Sequence, residues 1–125
     1  MAAARELQVQ IANEPGALGM ISELLGEHGI NIQGFGVWVA TAHLLVDEAD
    51  RAGEILREAG FHLQVVDVLR LVVPDEAGNL AEIARALGEA GMNIDYSYTV
   101  SSQTPGAAAF VLAVANTDQA EQLLD

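Results

Sequence analysis

One stretch of this chain occurs twice, and that constrains its fold more than any other feature. Ile11-Ala12-Asn13-Glu14-Pro15-Gly16-Ala17-Leu18, running on to Gly29-Ile30-Asn31-Ile32, recurs 62 positions later. The second copy reads Val73-Pro74-Asp75-Glu76-Ala77-Gly78-Asn79-Leu80 and runs on to Gly91-Met92-Asn93-Ile94. From Glu14 to Ile32, ten of nineteen residues are identical between the copies. A repeat of this period makes each copy a supersecondary unit in its own right, so a chain of 125 residues that could be one domain by length is expected to be two. The expected domains are residues 1–66 and 67–125. A domain of about 60 residues buries only about 60% of its unfolded surface, so the halves are expected to pack on each other or on a second chain.

Within the first copy, Leu7, Val9 and Ile11 alternate with Gln8 and Gln10, the period of a strand with one buried face. Leu69, Leu71 and Val73 repeat that alternation. Leu18, Ile21, Leu24 and Leu25 recur at three and four, which predicts a helix over 17–28 closed by Gly29. A strand over 33–39, a turn at Ala40-Thr41 and a returning strand over 42–46 follow. A helix over 47–59, stopped by Gly60, and a strand over 61–66 complete the copy.

The order strand, helix, strand, strand, helix, strand predicts an α+β fold. It consists of two tandem ferredoxin-like βαββαβ units, each an antiparallel sheet with helices on one face. The first and third strands are central. The second copy differs in two ways: six extra residues sit around Ser101–Gly106, and the sequence stops at Asp125 before a counterpart of residues 61–66. The second domain is therefore expected to lack its last strand, through trimming or through supply by another chain, since an unpaired edge recruits a partner.

Five Lys plus Arg stand against eighteen Asp plus Glu, a formal charge of -13. Nucleic acid and anionic membrane surfaces both require cationic stripes, so neither is an expected partner. Cysteine is absent, which removes disulfides and thiol nucleophiles. No apolar run has the length of a membrane span or the form of a signal peptide, so a cytoplasmic protein is the default expectation. His28, His43 and His62 have no metal-ligand spacing and read as surface or helix-end residues. The acidic residues read as solvated helix faces. No nucleophile elbow or phosphate-binding loop follows a strand. No cofactor, metal or catalysis is expected.

The run Asn13-Glu14-Pro15-Gly16-Ala17-Leu18 followed by Gly29-Ile30-Asn31-Ile32 resembles the signature of the ACT domain, a small amino-acid-binding regulatory module. The second copy is a weaker match that keeps the glycine and leucine but has Ala77 in place of the proline. The resemblance covers almost the whole chain and is strongest to stand-alone tandem ACT proteins. It implies a non-catalytic sensor or regulator that binds an amino acid between paired ACT units, assembles as a homodimer and acts on a metabolic enzyme. An interaction module with vestigial pockets is the alternative. By the same resemblance, Asn13, Glu14, Pro15, Gly16, Ala17 and Leu18, with Asn31 and Ile32, form the first candidate ligand site. Asp75, Gly78, Asn79, Leu80, Asn93 and Ile94 form the second.

The chemistry of the turn agrees with that assignment. A loop that opens a helix presents amides without intrahelical partners to a carboxylate. Gly16 allows close approach, and Pro15 stiffens the loop. Asn31 is expected near the far side of the loop, where its amide both donates and accepts, as a zwitterion requires. Asp75 in place of asparagine repels a carboxylate, so the first site ranks ahead of the second. Helix capping by Asn13 and Asp75, and turn formation by Asn31 and Asn93, are the competing structural roles.

Overall fold

A computed structural model describes residues 2–124. In chain order the elements are β1 (Ala2–Gln10), α1 (Ala17–Glu27), β2 (Ile32–Trp38), β3 (Thr41–Val46) and α2 (Ala49–Glu58). They continue as β4 (Leu63–Pro74), α3 (Asn79–Glu89), β5 (Ile94–Val100), β6 (Ala107–Val114) and α4 (Thr117–Leu124). Two units follow from this order. Residues 5–66 form one, and the described residues from 67 onward, together with residues 2–4, form the other.

In the first unit β1 runs antiparallel to β3 with Leu7 opposite Leu44 and Val9 opposite Ala42. Residues directly opposite share a face, so these four side chains point to the same side of the sheet. Ile21 and Leu25 of α1 and Leu56 of α2 meet them there, all fully buried. β2 adds to the other side of β3 in the register Phe35 to Leu44 and Val37 to Ala42. The Gln10 N–H donates to the His62 carbonyl at 2.9 Å and ties the end of β1 to the chain entering β4. β1 and β3 are thus the central strands, as the ferredoxin-like order requires.

The helices stop where the sequence places glycine. Gly29, Gly60 and Gly91 all have positive φ. After each, the next amide reaches back five residues: Ile30 to Leu25 at 3.0 Å, Phe61 to Leu56 at 3.0 Å and Met92 to Leu87 at 2.9 Å. This is the Schellman closure, and the residue that makes the back-bond is apolar in every case.

The second unit repeats the plan. β4 pairs with β6 in the register Leu69 to Leu112 and Leu71 to Phe110, and β5 pairs with β6 with Tyr98 opposite Val111. Leu69, Leu87 and Leu112 are buried with Ala120 of α4 in its core. The insertion is spent on a loop over residues 101–106, where the first unit has only Val39 and Ala40, and on a β6 of 8 residues against 6 in β3. The first hairpin turns at Val39-Ala40, one position earlier than expected.

The unit boundary falls inside β4, a single 12-residue strand. β1 neighbours β4, and its first residues, 2–4, belong to the second unit. The first described residues of β1 therefore cluster with the unit expected to lack its last strand.

Leu25 has no exposed surface and belongs to the same buried cluster as Leu7, Val9, Ala42 and Leu44 of the central strands. Replacing it with alanine removes buried hydrocarbon and leaves a void, so Leu25→Ala is expected to cost about 2–5 kcal/mol in urea-induced unfolding.

Candidate functional site

Both signature loops end in the same backbone device. Gly16, the N-cap of α1, has φ 90° and ψ -10°, and Gly78, the N-cap of α3, has φ 93° and ψ -12°. These angles lie in the left-handed region, which a residue with a Cβ enters at a cost of about 1–2 kcal/mol. The geometry explains why the glycine is kept in both copies while Pro15 gives way to Ala77. Neither helix has a side-chain cap, so Asn13 and Asp75 do not play the capping role weighed for them. Met20 makes the first helical bond of α1, its N–H donating to the Gly16 carbonyl at 3.0 Å. The amides of Leu18 and Gly19 fall in the first turn, where no intrahelical acceptor exists.

That first turn opens on a cleft of about 360 Å³. One wall is the loop from Ile11 to Gly19, with Asn13, Glu14, Gly16, Ala17 and Leu18 in it; the other is the hairpin tip from Val37 to Ala40. The tip is held to the loop by the Ile11 N–H, which donates to the Ala40 carbonyl at 2.9 Å. It is also strained. Val39 has φ 50° and Ala40 φ 56°, the two left-handed residues of a type I′ turn, a place where Asn-Gly is usual. A β-branched residue there is a true outlier, and Val39 is 90% exposed, so burial does not compensate for the strain.

Asn31 and Ile32 do not join this cleft. β1 and β2 both run antiparallel to β3 and hence parallel to each other, so β2 starts at the end of the sheet where β1 also starts. The loop lies at the opposite end, about 20 Å away along a strand of this length. Asn31 is instead bound to the residue after β3: its N–H donates to Asp47 Oδ1 at 3.1 Å, and the Asp47 N–H donates to its carbonyl at 3.2 Å. The expected closeness of Asn31 to the loop therefore does not hold within a unit, for reasons of strand direction alone.

The second unit has the same separation and a more occupied loop. The Asp75 N–H donates to the Gly106 carbonyl at 2.9 Å, so the inserted hairpin loop folds onto the signature turn. The Asn79 side-chain amide donates to the Pro74 carbonyl. Leu80 is exposed. Asn93, beside Ile94 at the far end, donates from Nδ2 to Asp95 Oδ1 at 3.1 Å and lines a cleft of about 290 Å³ with Asn116 and Gln119.

A polar cluster on the sheet face opposite α1 and α2 was not legible beforehand. His43, read as a surface or helix-end residue, is buried, and so is Glu6. Glu6 Oε1 accepts from His43 Nδ1 at 3.0 Å and from Gln8 Nε2 at 3.2 Å. The Trp38 indole stacks on His43 with centroids 3.9 Å apart and planes 12° from parallel. The same indole lies over Gly36, where a Cβ would come within 2.3 Å of it. The period-two register carried this signal: Gln8, His43 and Gly36 are cross-strand neighbours. Among the described residues no group of three His, Cys, Asp or Glu is placed to hold a metal ion. No described helix is long and apolar enough to cross a membrane.

The family model for the ACT domain pair matches residues 2–124. The chain belongs to the ACT domain pair family. Its fold is similar to that of protein BT0572 from Bacteroides thetaiotaomicron, at 24% identity and a TM-score of 0.86, over 98% of this chain and 86% of that one. It is also similar to the regulatory subunit of aspartate kinase from Thermus thermophilus, at 18% identity and a TM-score of 0.69, over 98% and 90% of the two chains. A third similar structure is E. coli aspartokinase III in complex with lysine and aspartate, at 15% identity and a TM-score of 0.62, over 97% of this chain and 29% of that one. No curated protein sequence matches the chain.

Two variants test the backbone reading of the ACT loop and hairpin. A Cβ at Gly16 meets nothing within 4 Å, so Gly16→Ala is expected to lose about 1–2 kcal/mol through φ alone. It should therefore lower the melting midpoint by several degrees. The paired change Val39→Asn with Ala40→Gly relieves the strained turn and is expected to raise stability by about 1–3 kcal/mol in chemical denaturation.

Proposed function

We propose that this ACT pair is a non-catalytic regulatory or sensor protein that binds an amino acid at interfaces between ACT units. The observation that carries the proposal is the cleft at the first signature loop. It brings the first turn of α1, Asn13 and Glu14 to one concave surface. Amides at a helix start suit a carboxylate, and Asn13 and Glu14 offer acceptors to an ammonium. An α-amino acid presents both.

Asn31 takes part in such a site only from a different ACT unit, because its own loop lies at the other end of its sheet. That requirement makes the site dependent on assembly and supports a homodimer. It also supplies the regulatory mechanism. A ligand that binds one arrangement of units better than another shifts the population by its difference in affinity and no more. The output is an altered contact with a metabolic enzyme in the cytoplasm. The second loop, with Asp75 in place of asparagine and its amides engaged by Gly106 and Pro74, is the weaker site, with Gly78, Asn79, Leu80, Asn93 and Ile94 as its residues.

A thermal-shift screen of the full chain against the common amino acids tests the proposal. A ligand at about 100 times its dissociation constant adds roughly 2.7 kcal/mol, which moves the midpoint by several degrees. One amino acid or a related set is expected to do so, and Asn13→Ala and Asn31→Ala are each expected to abolish the shift. No shift with any amino acid at millimolar concentration would favour an interaction module with vestigial pockets.

A further inference from the structure

We infer that the cleft at the first signature loop takes an amino acid with an uncharged, apolar side chain, and that Val37 and Val39 set this specificity. The inference rests on the amino-acid-binding reading of that cleft and deepens it. The lining divides by chemistry. The loop side carries the polar groups, Asn13, Glu14 and the first-turn amides, whereas the hairpin side is Val37, Trp38, Val39 and Ala40. Ile11 extends the apolar wall from the loop side. A ligand held by its carboxylate and ammonium at the loop therefore directs its side chain at hydrocarbon.

Charge excludes the alternatives on that wall. No Lys or Arg lines the cleft, and Glu14 is its one carboxylate, so an acidic side chain meets repulsion without a partner. A basic side chain would compete with the ligand's own ammonium for Glu14, and its desolvation against valine is uncompensated. The volume of about 360 Å³ lies at the lower end of the range for small-molecule sites, which suits one amino acid.

The strained turn gives the second line of support. Val39 holds φ 50° and is 90% exposed, and Val37 is 42% exposed on the strand leading to it. Two valines in solvent at the mouth of a cleft gain nothing in the free protein. They gain hydrocarbon contact when an apolar side chain lies between them and Ile11.

Isothermal titration of the full chain with leucine, isoleucine, valine, methionine and phenylalanine, and with lysine, aspartate, glutamate and serine, tests the inference. The apolar set is expected to bind at least about tenfold more tightly than the charged and hydroxyl set, the scale of one or two methylene contacts. Asn tolerates the left-handed region, so Val39→Asn keeps the turn. It is expected to raise the melting midpoint and yet weaken the apolar ligand by about tenfold, a combination that a merely structural role would not produce. Tightest binding by a charged amino acid, or an unchanged affinity in Val39→Asn and Val37→Asn, overturns the inference while leaving the amino-acid-binding reading intact. Binding of no amino acid overturns both.

Discussion

The junction between the first strand and first helix of each unit depends on one residue in the left-handed region. With Gly16 at φ 90° and Gly78 at φ 93°, the chain turns sharply enough to start a helix at once, without a side-chain cap. The consequences run outward. Because no side chain occupies the capping position, the first turn of α1 carries amides without a side-chain acceptor, and its residues line the cleft. Because the turn is short, Ile11 stays close enough to bond Ala40, and the hairpin tip becomes the opposite wall. Fold and candidate site share this constraint.

The two units apply the same plan with different outcomes at this junction. In the first, a two-residue turn accepts the Ile11 amide at Ala40 and places Val39 and Ala40 in strained conformations at the rim of the loop. In the second, a longer hairpin loop reaches back, and Gly106 accepts the Asp75 amide. Duplication kept the elements that build the sheet and the helix stops, such as Gly29 and Gly91. Within the signature loops, Asn13 against Asp75 and Ala17 against Asn79 diverged. The loop of the first unit carries an uncharged asparagine, Asn13, where that of the second carries Asp75.

Most of the fold could be read from the sequence, because its determinants are local and periodic. Strand alternation at Leu7 and Val9, the helical spacing of Ile21 and Leu25 and the glycine stops are each visible within a dozen residues. The repeat then supplied the topology twice. What escaped depends on register and on distance along the chain. Glu6 and His43 are 37 residues apart, and only the pairing of β1 with β3 makes them neighbours, so their burial left no local trace. The separation of Asn31 from the loop is likewise a matter of strand direction. Residues 2–4 join the second unit from the other end of the sequence, which no local pattern announces. The candidate site was legible as the Asn13–Leu18 loop, but its apolar wall was not, since a hydrophobic hairpin tip looks like any strand end.

The sole tryptophan of the chain, Trp38, belongs to the hairpin that walls the cleft, with its indole stacked on His43 on the other sheet face, so its fluorescence reports on changes in that hairpin. The central claim is that the open loop of the first ACT unit and the hairpin facing it bind an amino acid. Titrating the unmodified protein with individual amino acids while recording Trp38 emission tests this most directly. A saturable change with at least one of them, lost in Asn13→Ala, is the predicted result. Emission that stays constant for every amino acid up to millimolar concentration, in a protein shown to be folded, would contradict it.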